Sequence, residues 1–147
     1  MCVIVDINIA GRVLLAEDDP DFAHLHRCLF TNTRPQVRLV YGGKLVEEYN
    51  RVAMFRQAIV HLDRAGRARR IDDLLIEREV ELLVRARACR SNDVHIVALA
   101  RVAGARVLCS DDRDLHADFT DPRLLSHPRG KIYRNARHRG LLRQPCG

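Results

Sequence analysis

Several acidic side chains stand where strand-like runs stop or where a helix is about to begin. Asp6 ends the apolar run Cys2-Val3-Ile4-Val5. Asp112 and Asp114 follow the run Val107-Leu108-Cys109, and Asp93 precedes an almost wholly apolar helical segment. A further acid comes from a helix that opens at Lys44, as Glu47 or Glu48. Helical spacing puts Glu48 on the face of Leu45, Val52 and Phe55, and Glu47 on the more polar face of Lys44, Arg51 and Met54. An inward carboxylate needs a reason, because an unpaired buried charge is costly. That favours Glu48 as the functional residue and leaves Glu47 as the alternative. Carboxylates converging on one pocket repel each other, and a divalent cation relieves the repulsion. An all-oxygen donor set suits Mg²⁺ or Mn²⁺. Such ions can activate water and stabilise the leaving oxygen in phosphodiester cleavage. Taken singly, each acid has a plainer role: Asp93 as a helix cap, Asp112 and Asp114 as turn residues. The joint pattern is what points to chemistry.

The elements that must position these acids can be read from periodicity. Cys2 to Val5 reads as a buried strand, as do Val37–Tyr41 and Arg106–Cys109, with a last strand at Lys131–Tyr133. Helical signals cover Ile9 to Leu15 and Asp19 to Phe30, with Pro20 suited to a first helical position. Residues 31–35 read as a loop, and Gly42-Gly43 as a strand-to-helix turn. The spacing of Leu45, Tyr49, Val52, Phe55, Ile59 and Leu62 predicts one long helix over Lys44–Arg64, ended by Gly66. Arg67 to Arg70 reads as a basic connector. The next helix opens at Asp72-Asp73 with a core face of Leu75, Val80 and Leu83. Ser91-Asn92-Asp93 then caps a helix over His95–Val102, and a short one follows near Leu115–Phe119. His95 reads as a packed structural residue, and His24 and His26 as surface residues. Strands alternating with helical crossovers predict an α/β fold with a parallel sheet. In open parallel sheets ligands bind beyond the carboxyl ends of the strands, where these acids fall.

The 147 residues amount to one domain. Lys and Arg number 25 against 19 Asp and Glu, giving +6, and 23 of the cations are Arg. Arg forks onto phosphates and carboxylates, so the bias points to anionic partners. The excess is local. Residues 122–147 hold seven cations and no acid, which leaves 18 cations against 19 acids before them. This basic C-terminal segment could contact RNA phosphates, or face an acidic partner. Within it, Arg129, Lys131, Arg134 and Arg137 are candidate nucleic-acid-binding residues, joined by Lys44 from the acidic region. No apolar run approaches the roughly 18 residues of a membrane span, and the N-terminus lacks the basic start of a signal peptide. Five scattered Cys without a CxxC pair fit a reducing, cytoplasmic setting, with Cys2 and Cys109 acting as small hydrophobes. The absence of Trp speaks against an aromatic stacking platform for single strands.

Two other classes compete. A non-catalytic nucleic-acid-binding module would explain the basic segment but not the strand-end acids, which repel nucleic acid in the absence of metal. The segment RVLLAEDDPDFAHLHRCL resembles the opening of a phosphoreceiver domain, where a strand ends in paired acids and a helix follows. That alternative leaves Asp6 unexplained and lacks a suitably placed Lys.

The stretches VIVDINIA, YGGKLVEEY, SNDVHIVALARVAGARVLCSDDRDLHADF and RGKIY resemble a PIN-domain nuclease over nearly the whole chain, most specifically over Ser91–Phe119. The resemblance implies a three-layer α/β/α sandwich and metal-dependent cleavage of phosphodiester bonds, most often in RNA. Small single-domain members of this kind serve as toxins of VapBC-type toxin–antitoxin pairs, which implies an antitoxin protein and a homodimer as partners. Asp6, Glu48 (or Glu47), Asp93, Asp112 and Asp114 match the family's acids, and Asp111 could replace Asp112 in the alignment. Asn8 and Ser110 match its supporting polar positions. By the resemblance these acids would hold Mg²⁺ or Mn²⁺, and no Ser, Cys or His nucleophile is required.

Overall fold

The computed structural model describes residues 1–31 and 36–143. It is a three-layer α/β/α sandwich around a five-stranded sheet. The strands are β1 (Cys2–Val5), β2 (Arg38–Tyr41), β3 (Ala68–Arg70), β4 (Val107–Cys109) and β5 (Lys131–Ile132), in the order β3-β2-β1-β4-β5. Every neighbouring pair is parallel, with Val3 opposite both Leu39 and Val107. Parallel strands are buried on both faces. All four residues of β1 and all three of β4 are accordingly buried.

The helices are α1 (Ala23–Phe30), α2 (Lys44–Asn50), α3 (Ala53–Arg64), α4 (Asp73–Arg85), α5 (Val94–Ala103) and α6 (Arg113–Phe119). α4 packs along α5, while α1 and α3 pack with a π turn at Gly11–Leu15. A 3-10 segment at Ala136–Arg143 lies against α1. From β1 the chain winds outward through β2 and β3, then returns to add β4 and β5 on the other side. The direction reverses between β1 and β4, so a crevice opens beyond their carboxyl ends. Asp6 extends that junction by donating its backbone N–H to Cys109 O at 2.9 Å.

Several sequence expectations need correction. The helix over Lys44–Arg64 is two helices, because Val52 is extended (φ −120°, ψ 115°) and 39% exposed at the junction. Arg67–Arg70 is not a plain connector: residues 68–70 form the edge strand β3, paired with β2. On α4 the core positions are Ile76 and Leu83, and Leu75 is 47% exposed. The segment Ile9–Leu15 is a 3-10 turn (Ile7–Ile9) followed by the π turn. It is therefore not the strand that a phosphoreceiver-like reading requires. His26 is buried and its Nδ1 lies 2.8 Å from Val13 O. Cys2 is disulfide-bonded, whereas Cys89 and Cys109 are free thiols. Residues 32–35 of the expected loop, and 144–147 of the basic segment, lie outside the described residues. Among the described residues no helix is long and apolar enough to cross a membrane.

Candidate functional site

The ends of β1 and β4 and the starts of α5 and α6 meet at the crevice, with α2 beside them. Asp6 leaves β1 and is 2% exposed. Its Oδ2 accepts the hydroxyl of Ser110, at the end of β4, at 2.7 Å. The same Ser110 Oγ accepts the N–H of Asp112 at 3.1 Å. Asn8 Nδ2 reaches Ser110 Oγ at 3.5 Å, and Asn8 Oδ1 accepts from Asp111 N at 3.3 Å. Ser110 thus ties the β1 acid to the loop after β4, with Asn8 bracing that loop.

Asp112 caps α6, since its Oδ1 accepts from Asp114 N and Leu115 N. Its Oδ2 accepts from Ser91 Oγ at 3.4 Å. Ser91 Oγ also accepts from Asp93 N at 2.9 Å, while the Asp93 carboxylate makes no capping bond to α5. The expected side-chain cap of α5 is therefore not made: Ser91 Oγ holds the N–H of the N-cap residue Asp93 instead. The Asp93 carboxylate is left facing the other acids.

Glu48 arrives from α2, which starts after Gly43 in a left-handed turn (φ +58°) that suits glycine. Tyr49 Oη donates to Val5 O and pins α2 to the end of β1. Glu48 is turned inward, its side chain 13% exposed, and Glu47 is exposed. His95 on α5 sits between two acids, its Nε2 3.0 Å from Glu48 Oε1 and its Nδ1 4.0 Å from Asp93 Oδ1. Nε2 is nevertheless buried without a hydrogen-bond partner. The angle of approach does not suit a hydrogen bond, and the two groups meet as an off-axis contact.

The electrostatics join these groups into one set. Burial, opposed by the Ser110 hydroxyl and reinforced by the charge of Asp112, raises the Asp6 carboxyl above its ordinary pKa. Burial and the charges of Asp6 and Asp93 raise Glu48. Burial and the charges of Asp6 and Asp112 raise Asp93. Lys44 opposes the shift at both Glu48 and Asp93, so its ammonium lies within electrostatic reach of both acids. Burial, then Lys44, pushes the His95 imidazole down to about 4, so it is neutral at pH 7.

The structure therefore brings Asp6, Glu48, Asp93, Asp112 and Lys44 within electrostatic reach, with Asn8 and Ser110 between. Asp111 and Asp114 are exposed. Asp111 contributes its backbone N–H to Asn8, and Asp114 its backbone N–H to the Asp112 cap. Among the described residues no three His, Cys, Asp or Glu side chains stand close enough to form a ready-made cation site. The donor chemistry nonetheless fits a divalent cation: all-oxygen carboxylates, of which Asp6, Glu48 and Asp93 are disfavoured in their charged form by burial and by neighbouring charge. No family model, curated protein or solved structure matches the chain.

Two positioning residues, Ser91 and Asp118, are not among the residues expected to form the site. Ser91 falls with Asn92 and Asp93 in one capping stretch. Asp118 is 3% exposed, and its carboxylate accepts the N–H groups of Arg90 and Ser91 at 2.8–3.0 Å. It shares the buried face of α6 with Leu115 and Phe119, a spacing visible in sequence. Asp118→Ala would leave two N–H groups unsatisfied in the turn that carries Ser91. The expected loss is about 2–3 kcal/mol in urea unfolding at pH 7, with Asp118→Asn recovering part of it. An unchanged midpoint would show that water satisfies these groups.

His95 has its own pH signature. Its folded pKa of about 4 lies below the ordinary 6.5, so between those values the unfolded chain binds a proton that the folded chain does not. This contribution is full above pH 6.5 and is lost as pH falls toward 4, by up to about 3 kcal/mol. The raised carboxylates act in the opposite direction, so the contrast with His95→Leu isolates the imidazole. Between pH 7 and 4.5 the variant is expected to lose less stability than the parent in urea titrations. Equal losses would mean that His95 titrates normally.

Proposed function

We propose that this chain is a divalent-metal-dependent ribonuclease of the PIN type. The observation that carries the reading is the joining of Asp6, Glu48, Asp93 and Asp112, from four separate segments, at the reversal point of a parallel sheet. Asp6, Asp93 and Asp112 would hold Mg²⁺ or Mn²⁺, with Asp114 available at the rim. When bound, such an ion lowers the pKa of water and polarises a phosphate. Ser110 and Asn8 orient the ligands: Ser110 holds Asp6 in one rotamer and fixes the Asp112 loop. Glu48 can accept a proton from the attacking water, since burial and Asp6 make its carboxylate more basic than usual. Attack of the water oxygen on phosphorus breaks one P–O bond, leaving a phosphate monoester and a hydroxyl. Lys44 offers a cation to a non-bridging phosphate oxygen beside the acids.

The test is cleavage of labelled RNA with Mg²⁺ or Mn²⁺, with and without chelator. Metal-dependent cleavage supports the reading. RNA bound but left intact under all conditions would favour a binding module, and cleavage that survives chelation would remove the metal mechanism. A toxin role, with an antitoxin and a second copy of the chain as partners, goes with the same reading. Growth arrest on expression, relieved by co-expressing an adjacent small reading frame, would support it.

A further inference from the structure

Beside the acidic crevice lies an open concavity of about 730 Å³ lined by His116, Arg129, Lys131, Arg134, Arg137 and His138, with no carboxylate in its lining. Among the described residues none of its four cations is in an ion pair, whereas Arg12, Arg70, Arg101 and Arg123 each meet an Asp or Glu. Asp121, which feels the charge of Arg129, is already held by Arg123 at 2.8 Å. Like charges around one hollow repel each other, and an anion seated among them removes that cost.

The concavity is built. Gly130 lets β5 approach the end of α6 closely, since a Cβ there would lie 1.9 Å from Phe119 O. Arg129 Nε donates to Thr120 O. His138 Nδ1 accepts the N–H of Arg134 at 2.9 Å, so a proton on its neutral ring sits on Nε2. Arg134 Nη2 lies 2.9 Å from His116 Nδ1. A guanidinium only donates, so Nδ1 accepts and Nε2 carries the proton that His116 gives to Ser110 O. His116 thereby links Arg134 to the residue that holds Asp6. His116 and Arg134 also line an adjoining recess of about 250 Å³ with Ser110 and Asp111. The two hollows share His116 and Arg134, and the recess reaches Ser110, the residue that holds Asp6.

We propose that this concavity seats the phosphodiester backbone of the substrate strand on one side of the bond cleaved at the acidic crevice. The identity of the anion rests on the ribonuclease reading; the existence of the anion seat rests on its own geometry. Lys131 and Arg137 suit a test because neither side chain makes a hydrogen bond or ion pair within the described residues. Binding of a short fluorescein-labelled single-stranded RNA would be followed by anisotropy in EDTA across a salt series, for the full chain and for K131Q/R137Q.

The double variant is expected to bind about tenfold more weakly at low salt. Its slope of log K against log salt should be shallower by about 1.4, near 0.7 for each phosphate that is no longer neutralised. Equal weakening toward single-stranded DNA of the same sequence supports recognition through phosphates. Wild-type affinity and slope in a variant with native circular dichroism would overturn the proposal. Loss of poly-glutamate binding with RNA binding intact would also overturn it, by assigning the hollow to an acidic protein. Since binding is read without cleavage, the two readings fail separately. A chain that cleaves RNA with unchanged binding in K131Q/R137Q loses only the concavity. A chain that binds RNA there but never cleaves loses only the nuclease assignment.

Discussion

Asp6→Asn is expected to lower kcat/KM for RNA cleavage by about 10²–10³-fold, the usual cost of removing one preorganised charge at a reacting centre. Asp6 is the most buried of the site acids, and its charge acts on both Glu48 and Asp93. Asparagine keeps the shape and can still accept the Ser110 hydroxyl. It removes a buried carboxylate that is costly when ionised, so the thermal midpoint is expected to hold or rise. RNA binding in EDTA is expected to hold or tighten, since one negative charge leaves the crevice. The fall in cleavage would then be chemical rather than structural. Glu48→Gln and Glu47→Gln form the internal contrast: the inward Glu48 variant should lose activity strongly, and the exposed Glu47 variant should stay within about twofold, as surface changes usually do. Cleavage by Asp6→Asn within tenfold of the parent, measured at saturating Mg²⁺, would sink the assignment of Asp6.

Those residues also show what a linear pattern can and cannot carry. β1 and β4 are legible because strands buried on both faces read as unbroken apolar runs. β3 is not, because Ala68-Arg69-Arg70 is a short edge strand with exposed charges, the composition that edges use against unwanted pairing. The break at Val52 is hidden because the apolar period continues across it; α3 keeps Phe55, Ile59 and Leu62 inward after the kink. Leu75 and Ile76 are one position apart, and on a helix that step turns the assigned face by about 100°. At the site, the criterion that an inward acid needs a reason picks out Glu48; Asp118, which shares the buried face of α6 with Leu115 and Phe119, is not singled out although the same criterion covers it. Ser91 and Asp93 both suit an N-cap by residue type, and the linear order does not show that neither side chain bonds the first turn of α5. Of the loop acids, Asp112 turns back into the Ser91 and α6 network while Asp111 stays exposed. No linear pattern distinguishes adjacent aspartates whose roles differ by backbone direction.

A second large effect should come from divalent metal, and its pH dependence has a definite sign. Burial first, and neighbouring charges next, raise Asp6, Glu48 and Asp93 above the ordinary carboxylate range. Without metal, the folded chain therefore holds protons that the unfolded chain has released. Stability then falls as pH rises from the ordinary carboxylate pKa through the raised values. Below that window all three groups are protonated in both states and the penalty is absent. A bound cation needs the deprotonated carboxylates, so it competes with those protons and gains its hold as pH rises. At a free concentration a hundred times Kd, binding to the folded state alone adds about 2.7 kcal/mol. For a domain of this size that is about 5–10 °C in Tm. Mn²⁺ or Mg²⁺ is thus expected to raise Tm by several degrees at pH 7.5, with the metal-free and metal-bound curves converging toward pH 4. Asp6→Asn should flatten both the metal shift and the metal-free descent, because it deletes a ligand and a proton site at once. Differential scanning fluorimetry at several pH values, with and without EDTA, reads all four curves. A Tm shift of equal size at pH 4.5 and 7.5, or one untouched by Asp6→Asn, would place the metal away from these carboxylates.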